Sequence, residues 1–325
     1  MENYHKMPID PETGAHRPQV LLLGNGIIRA YSHLALSWHE LLKEIGTDKT
    51  VPDNPDMPMP MEIILRTNDH VDLVLEDHIK QLYGSVDGPE FQEILLQLLG
   101  LGFDHILTTN YSYELEEAAL GKAVLSDEEI RPLERFSSEV SAPEDSFMLF
   151  TWNEVSANGC RNRIWHIHGE AMKPDSVIIG HFYYGTLLSK CDAYIQKWRR
   201  SGLLDYQNKE VVSWVDAFML GDVYTLGFGY DFSEMDLWWL LNYKKLAPGG
   251  SRMYYYRPRK DIGFDCKASL MRAYGTETLD CGCREISDSP DDPAVQAEND
   301  AMYREFYSRA IDDIRRRVAL ARRNG

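Results

Sequence analysis

The chain has 325 residues, which at about 150 residues per domain predicts two lobes, or one domain with an insertion. Its 51 acidic residues against 34 basic give a formal charge of −17, and this excludes a general binder of nucleic acid or anionic membrane, whose affinity needs net positive surface. The composition, 44% hydrophobic and 26% charged, is that of an ordinary globular protein long enough to need no disulfide or metal staple.

No apolar run approaches the ~20 residues that cross a bilayer. The opening MENYHKMPID holds no apolar signal core, so a cytoplasmic location is expected. Cys160, Cys191, Cys266, Cys281 and Cys283 are odd in number and scattered, with no C-x-x-C pair. Such spacing predicts reduced structural thiols rather than a disulfide framework or a four-thiolate zinc site, and no metal is expected.

After a polar leader, Val20 to Leu23 form an apolar run that breaks into Gly24-Asn25-Gly26, the pattern of a buried parallel strand entering a tight turn. Ser37 with Glu40 makes a capping box for a helix that closes at Gly46. Four prolines in residues 51–61 predict a loop, and residues 62–101 carry apolar positions at helical spacing, a helical hairpin inserted into the α/β unit. FDHILTTNYSYELEEAAL returns to strand, turn and helix, with the strand at His105 to Thr108 and the helix from about Ser112. Residues 126–160 show no clear pattern. RIWHIHGE predicts a short strand ending in a polar turn, and SVIIGHFYYG with AYIQKWRRSGLL a strand or loop followed by a helix. VYTLGFGYDFSEMDLWWLLNYKKL repeats strand, glycine turn and helix; RMYYYRP predicts a further strand, and helical periodicity runs from about Pro293 to Arg323. Strands alternating with helices predict a doubly wound parallel sheet, Rossmann-like and of the α/β class, with a helical insertion and a C-terminal helix.

In such sheets ligands bind outside the carboxyl ends of the strands. Four loops qualify: Gly24–Gly26, Thr108–Asn110, His166–Gly169 and Gly227–Asp231. Gly24-Asn25-Gly26 resembles the opening of a dinucleotide fingerprint, but Arg29 stands where the third glycine belongs, and no acidic residue ends a second strand about 20 residues on. A hydride-transferring dehydrogenase is therefore disfavoured, and taken alone the G-x-G is better explained as a plain tight turn. The Asn110 carboxamide both donates and accepts, so it can orient a water or a ribose hydroxyl; taken alone, a cap for the helix beginning near Ser112 explains it better. His166 and His168, two apart on a predicted strand, face the same side. A third metal ligand at sensible spacing is not visible, whereas His168, at a strand end before Gly169, is a candidate general base set against a structural role. Trp238 and Trp239 read as a buried helix face. The arginines of KWRR and of the tail read as solvated helix faces, or as contacts with another copy.

Taken in order, GNGI with SWHELL, TTNY, IWHIHGE and LGFGYDFSEMDLWWLL resemble the motifs of the silent information regulator two-like (sirtuin-like) domain, in particular its bacterial antiphage-defence branch. The resemblance covers residues 18–260, an NAD-binding domain with the 62–101 insertion, and leaves 261–325 as a largely helical extension. It implies that Asn110 and His168 are catalytic. It also implies that Gly24, Asn25 and Gly26 line the pyrophosphate, that Thr109 and Ser112 contribute beside the asparagine, and that Gly227, Phe228 and Gly229 line the adenosine side. The chain departs from the family twice: it lacks the paired C-x-x-C zinc module of the deacylating members, and Ser112 stands where an acidic residue commonly follows the asparagine by two positions.

The activity implied is NAD glycohydrolysis, giving nicotinamide and ADP-ribose, with NAD as substrate. The cellular role implied is NAD depletion in antiphage defence, held in check by self-assembly or a partner protein. A non-catalytic module sensing NAD or an ADP-ribose-type nucleotide is the alternative, and a zinc-free NAD-dependent protein deacylase a minor one.

Overall fold

A computed structural model describes residues 17–31, 88–137, 149–200, 211–246, 251–260, 265–285 and 293–324. The helix expected over 37–46 and residues 62–87 of the expected insertion lie outside them. Eight strands form one sheet: β1 (Gln19–Leu23), β2 (His105–Thr108), β3 (Glu134–Phe136), β4 (Thr151–Ala157), β5 (Cys160–His166), β6 (Asp222–Leu226), β7 (Met253–Tyr256) and β8 (Glu277–Leu279). The helices in chain order are α1 (Gly26–Tyr31), α2 (Pro89–Leu99), α3 (Glu114–Leu120), α4 (Asp127–Ile130), α5 (His181–Arg200), α6 (Trp214–Leu220), α7 (Met235–Leu246), α8 (Cys266–Ala273) and α9 (Pro293–Asn324). None of the helices described is long and apolar enough to cross a membrane.

The lateral order is β3-β4-β5-β2-β1-β6-β7-β8. All pairings are parallel from β5 across to β8, and β3 and β4 add an antiparallel edge. Counted along the chain, the six parallel strands stand in the order 3-2-1-4-5-6, the doubly wound arrangement of dinucleotide-binding sheets. The winding reverses between β1 and β6, which makes the carboxyl ends of those strands the topological switch point.

The central strands are apolar on both faces because helices cover both. Leu21, Leu23 and Ile106 point into one core with α1, α2 and α9, while Val20, Leu22 and Leu107 point into the other with α5, α6 and α7. This is the alternation that a pleated strand imposes. On α5, Tyr184, Leu187, Cys191 and Ile195 are buried at helical spacing; of the strand or loop expected over 176–185, residues 177–180 are loop and the helix takes in the rest from His181. The buried face of α7 is carried by Leu237, Leu240 and Leu241; Trp239, expected on that face, lies on the exposed side of the helix.

The segment after residue 260 belongs to the same body. It supplies β8 to the sheet, and α9 buries Phe306, Ala310, Ile311, Ile314 and Val318 in the first core. Tyr256 Oη donates to Asp313 at 2.7 Å, and the Arg317 guanidinium lies 4.6 Å from the Tyr254 ring centre, tying α9 to β7.

β4 and the turn into β5 fill a stretch that showed no clear pattern in sequence. Asn158 and Gly159 both take positive φ, 49° and 77°, between the paired residues Ala157 and Cys160. An Asn-Gly pair closes a two-residue turn in this way because both central positions need left-handed backbone.

Candidate functional site

Because β5, β2, β1 and β6 are neighbours and run parallel, their four following loops lie side by side at one sheet edge. Backbone bonds stitch the loops together: Ile167 N–H donates to Thr108 O, Thr109 N–H to Leu23 O, Gly24 N–H to Leu226 O and Gly26 N–H to Gly227 O, at 2.9, 3.2, 3.0 and 2.7 Å.

At the switch point the two glycine turns are pressed against each other. A Cβ on Gly24 would stand 2.6 Å from Phe228 Cα and 2.7 Å from Gly227 O, and one on Gly26 would stand 2.7 Å from Gly227 O. Gly227 itself holds φ +67°. Close backbone packing therefore accounts for Gly24 and Gly26, and their amides are spent on carbonyl oxygens. Gly229 differs: nothing lies within 4 Å of an added Cβ. Its carbonyl accepts from Lys267 Nζ at 2.8 Å and Tyr255 Oη at 3.2 Å. Phe228 is buried edge-on against Tyr230, and Asn25 O accepts from Arg29 N–H in the first turn of α1.

Asn110 lies two residues beyond β2, with its backbone N–H donating to Thr108 Oγ1. It is not the helix cap: α3 begins at Glu114 with Tyr113 in the capping position. Instead the Asn110 Nδ2 donates to Glu114 Oε1 at 2.6 Å, and the Ser112 hydroxyl donates to Glu114 Oε2 at 2.5 Å. A carboxylate thus sits beside the asparagine in spite of Ser112, brought in by Glu114 at the first position of α3. Burial pushes the Glu114 carboxyl up from its ordinary pKa, while the bonds from Ser112 and Asn110 pull it down. Asn110 Oδ1 is buried without a hydrogen-bond partner among the described residues. Glu114 also borders a cleft of about 550 Å³ between α2 and α3, together with Phe91, Leu95, Glu117 and Lys122. Burial and then the Glu114 charge raise the Glu117 carboxyl to about 8.

β5 ends at His166, and Ile167-His168 form a turn, so the two histidines do not share a strand face. His166 bonds Asn110 O through Nδ1 at 2.9 Å and Glu116 through Nε2 at 3.0 Å. Burial alone would lower its pKa, but the Glu116 and Glu170 charges outweigh it and raise it to about 9. Glu170 is in turn bonded by Lys173 and Asn153.

His168 points elsewhere. Its Nε2 meets Asp236 Oδ2 at 3.1 Å and its Nδ1 faces Glu234 Oε2 at 3.7 Å, both from the segment that begins α7. Its ring packs edge-on against Tyr184, whose hydroxyl donates to Glu234 at 3.1 Å. Burial opposes the imidazolium, and the charges of Asp236 and Glu234 more than restore it. Asn110 and His168 stand just beyond the ends of adjacent strands, the first bonded to Glu114 of α3 and the second to Asp236 of α7, and no described contact joins them directly. The loops themselves are locked: Tyr111 Oη donates to Ile178 O, and Ile178 N–H donates to His168 O.

Among the described residues, His168, Glu234 and Asp236 bring metal-type ligand atoms within 4.8 Å of one another. Their two carboxylates face different ring nitrogens, the geometry of a clamped imidazole rather than of a cradle closing on one cation. The five cysteines are free thiols.

Glu114, Glu116, Glu170, Glu234 and Asp236 complete the site, and none of them stands out in the sequence as a candidate. Glu234 and Asp236 flank the start of a helix, where acids are ordinary dipole partners. Glu114 could have been found by asking which carboxylate follows Ser112 most closely, two residues on at the first position of α3. Compared with known proteins, the chain matches no family model and no curated sequence.

Proposed function

We propose that this protein is an NAD glycohydrolase, releasing nicotinamide and leaving ADP-ribose. The observation that carries the reading is Asn110. Its amide nitrogen is fixed by Glu114, and its Oδ1 is a buried acceptor with an unfilled bond, at the carboxyl edge beside the switch point. Buried polar groups are seldom left unpaired, and in this reading the Asn110 Oδ1, unpaired among the described residues, accepts from a ribose hydroxyl or the attacking water.

Nicotinamide leaves neutral from a cationic pyridinium, so positive charge develops on the sugar and the leaving group needs no proton. The protein has to hold the ribose, stabilise that charge and take a proton from water. In this reading Asn110 does the first, and the carboxylate-rich edge around Glu114 assists the second. His168, held by Asp236, takes part in the third. An NAD-depleting role in antiphage defence, held off by assembly or a partner, is the biological setting that the sequence resemblance suggests. A strict monomer, fully active alone by light scattering, would count against that control.

The test is nicotinamide release from NAD by purified protein, at low and at high protein concentration. Asn110→Ala and His168→Ala should each abolish it. Wild-type turnover in both variants would sink the assignment.

One observation favours a second reading, a nucleotide-sensing module that does not cleave. Both His168 nitrogens face carboxylates, and the Gly24 and Gly26 amides are already bonded. Calorimetry selects between the two: tight NAD binding with no nicotinamide formed belongs to the sensor.

A further inference from the structure

The His168 clamp assigns work to a residue that the motifs do not contain. A general base must present an unspent lone pair to the proton it removes. Neither ring nitrogen of His168 faces open solvent: Nε2 is hydrogen-bonded to Asp236 at 3.1 Å, and Nδ1 is turned toward the Glu234 carboxylate at 3.7 Å. Access separates the three groups further. The Asp236 side chain is 0% exposed and that of His168 3%, whereas that of Glu234 keeps 14%. Glu234 follows the Gly227–Asp231 turn, so it stands at the carboxyl edge where a nucleotide would lie. Tyr184, which bonds Glu234, also lines a second cleft of about 550 Å³ with Phe182 and Met235. Of the three members of the clamp, Glu234 is the one that water can reach.

We propose that Glu234 is the catalytic base of the hydrolysis, and that His168 is a positioning residue which, anchored by Asp236, holds the Glu234 carboxylate in place. This assignment rests on the glycohydrolase reading. In the step, the bond between ribose C1′ and the pyridinium nitrogen breaks, and its electron pair leaves with neutral nicotinamide. The water oxygen bonds C1′, and the water proton passes to the Glu234 carboxylate, which later releases it to solvent. The sum is NAD⁺ plus water giving nicotinamide, ADP-ribose and a proton.

The groups facing Glu234 are His168, Asp236, Tyr184, Asp231 and Tyr230. Burial raises its carboxyl, the His168 charge opposes that, and the Asp236 charge adds to it, leaving it at about 7, near the optimum for a base working at neutral pH.

The experiment uses the full-length chain, NAD and sodium azide. Azide attacks C1′ as an anion and needs no base, so it bypasses a missing proton acceptor without repairing a broken fold. Glu234→Gln should lower nicotinamide release by about 10²–10⁴-fold, the usual worth of a general base. It should also abolish the acidic limb of the kcat profile, and azide should restore release at least about tenfold by forming azido-ADP-ribose. Glu234→Asp should retain part of the activity with the acidic limb present. His168→Asn should lower kcat and shift the limb, with KM little changed. Wild-type turnover and pH profile in Glu234→Gln would overturn the assignment, and so would an inactive Glu234→Gln that azide does not revive. A wild-type chain that binds NAD but releases no nicotinamide at any concentration overturns the glycohydrolase reading itself, and this inference falls with it.

Discussion

The crowded switch point separates two roles for glycine that sequence cannot tell apart. A Cβ at Gly24 would sit 2.6 Å from Phe228 Cα, 2.7 Å from Gly227 O and 2.8 Å from Phe228 Cβ. Carbon–carbon contacts rest near 3.5–4.0 Å, so the methyl intrudes by about 1 Å on backbone that cannot rotate aside. Overpacking of this kind costs typically about 1–3 kcal/mol, and backbone neighbours place Gly24→Ala at about the upper figure. Unfolding entropy of about 2.1 cal/mol/K per residue over 325 residues is roughly 0.7 kcal/mol/K, so ~3 kcal/mol lowers Tm by about 4 °C. Gly229→Ala is the control. Nothing lies within 4 Å of its Cβ, so its Tm should hold, or rise slightly as the unfolded chain loses freedom. If the open space at Gly229 admits the nucleotide, that variant should instead raise Kd for NAD. Calorimetric melting and NAD titration of both variants decide the matter. A Gly24→Ala protein that melts with wild type yet loses NAD affinity would refute the packing argument and return Gly24 to the ligand.

Glu114→Gln replaces two acceptor oxygens by one acceptor and one donor, so it cannot receive both Asn110 and Ser112. A bond to a charged group is worth about 1.5–3 kcal/mol, which predicts a fall in nicotinamide release of about 10–150-fold, with Ser112→Ala milder; equal turnover in wild type and Glu114→Gln would refute it. His166 is raised from 6.5 to about 9, so the folded state holds its proton more tightly than the unfolded chain does. Its contribution to stability, a few kcal/mol at about 1.4 kcal/mol for each pH unit between those two values, is complete below pH 6.5 and is lost as pH rises through about 9. Buried Lys244 is lowered to about 7 and acts in the opposite direction as pH rises from there to 10.5, so the measurement is the difference in Tm between wild type and His166→Gln from pH 6 to 9.5. That difference should shrink with rising pH, and a constant one would remove His166 from the account. Ile314→Ala on α9 should cost about 2–5 kcal/mol by leaving a cavity in the first core, and an unchanged denaturation midpoint would show that α9 is not part of the folding unit.

The sheet was legible in the sequence because its central strands are covered on both faces. Val20 to Leu23 and Val223 to Leu226 read as strands before glycine turns, since a doubly buried strand is predominantly apolar on both faces. The antiparallel edge was harder to read because β3 and β4 are partly exposed and short of apolar residues, and its one sharp signal, Asn158-Gly159, is local. The positions of the loops were equally readable: strand ends in a parallel sheet must gather at one edge, whatever the side chains do. Which way those side chains turn was not. Spacing alone puts His166 and His168 on one strand face, but the strand stops between them. Each ring then goes to a carboxylate far away in the chain, Glu116 at 50 residues and Asp236 at 68. Strand periodicity carries no information beyond the last ladder bond, and the acids that clamp these rings sit at helix starts, where an isolated sequence gives them a sufficient dipole role. The same reasoning explains Ser112. A one-position motif scores it as a lost carboxylate, but Glu114, the first residue of α3, folds back to take hydrogen bonds from both Ser112 and Asn110 in the loop that precedes it. Chemistry at this edge is therefore better sought by asking which acids a fold can bring to a strand end than by matching residues in register.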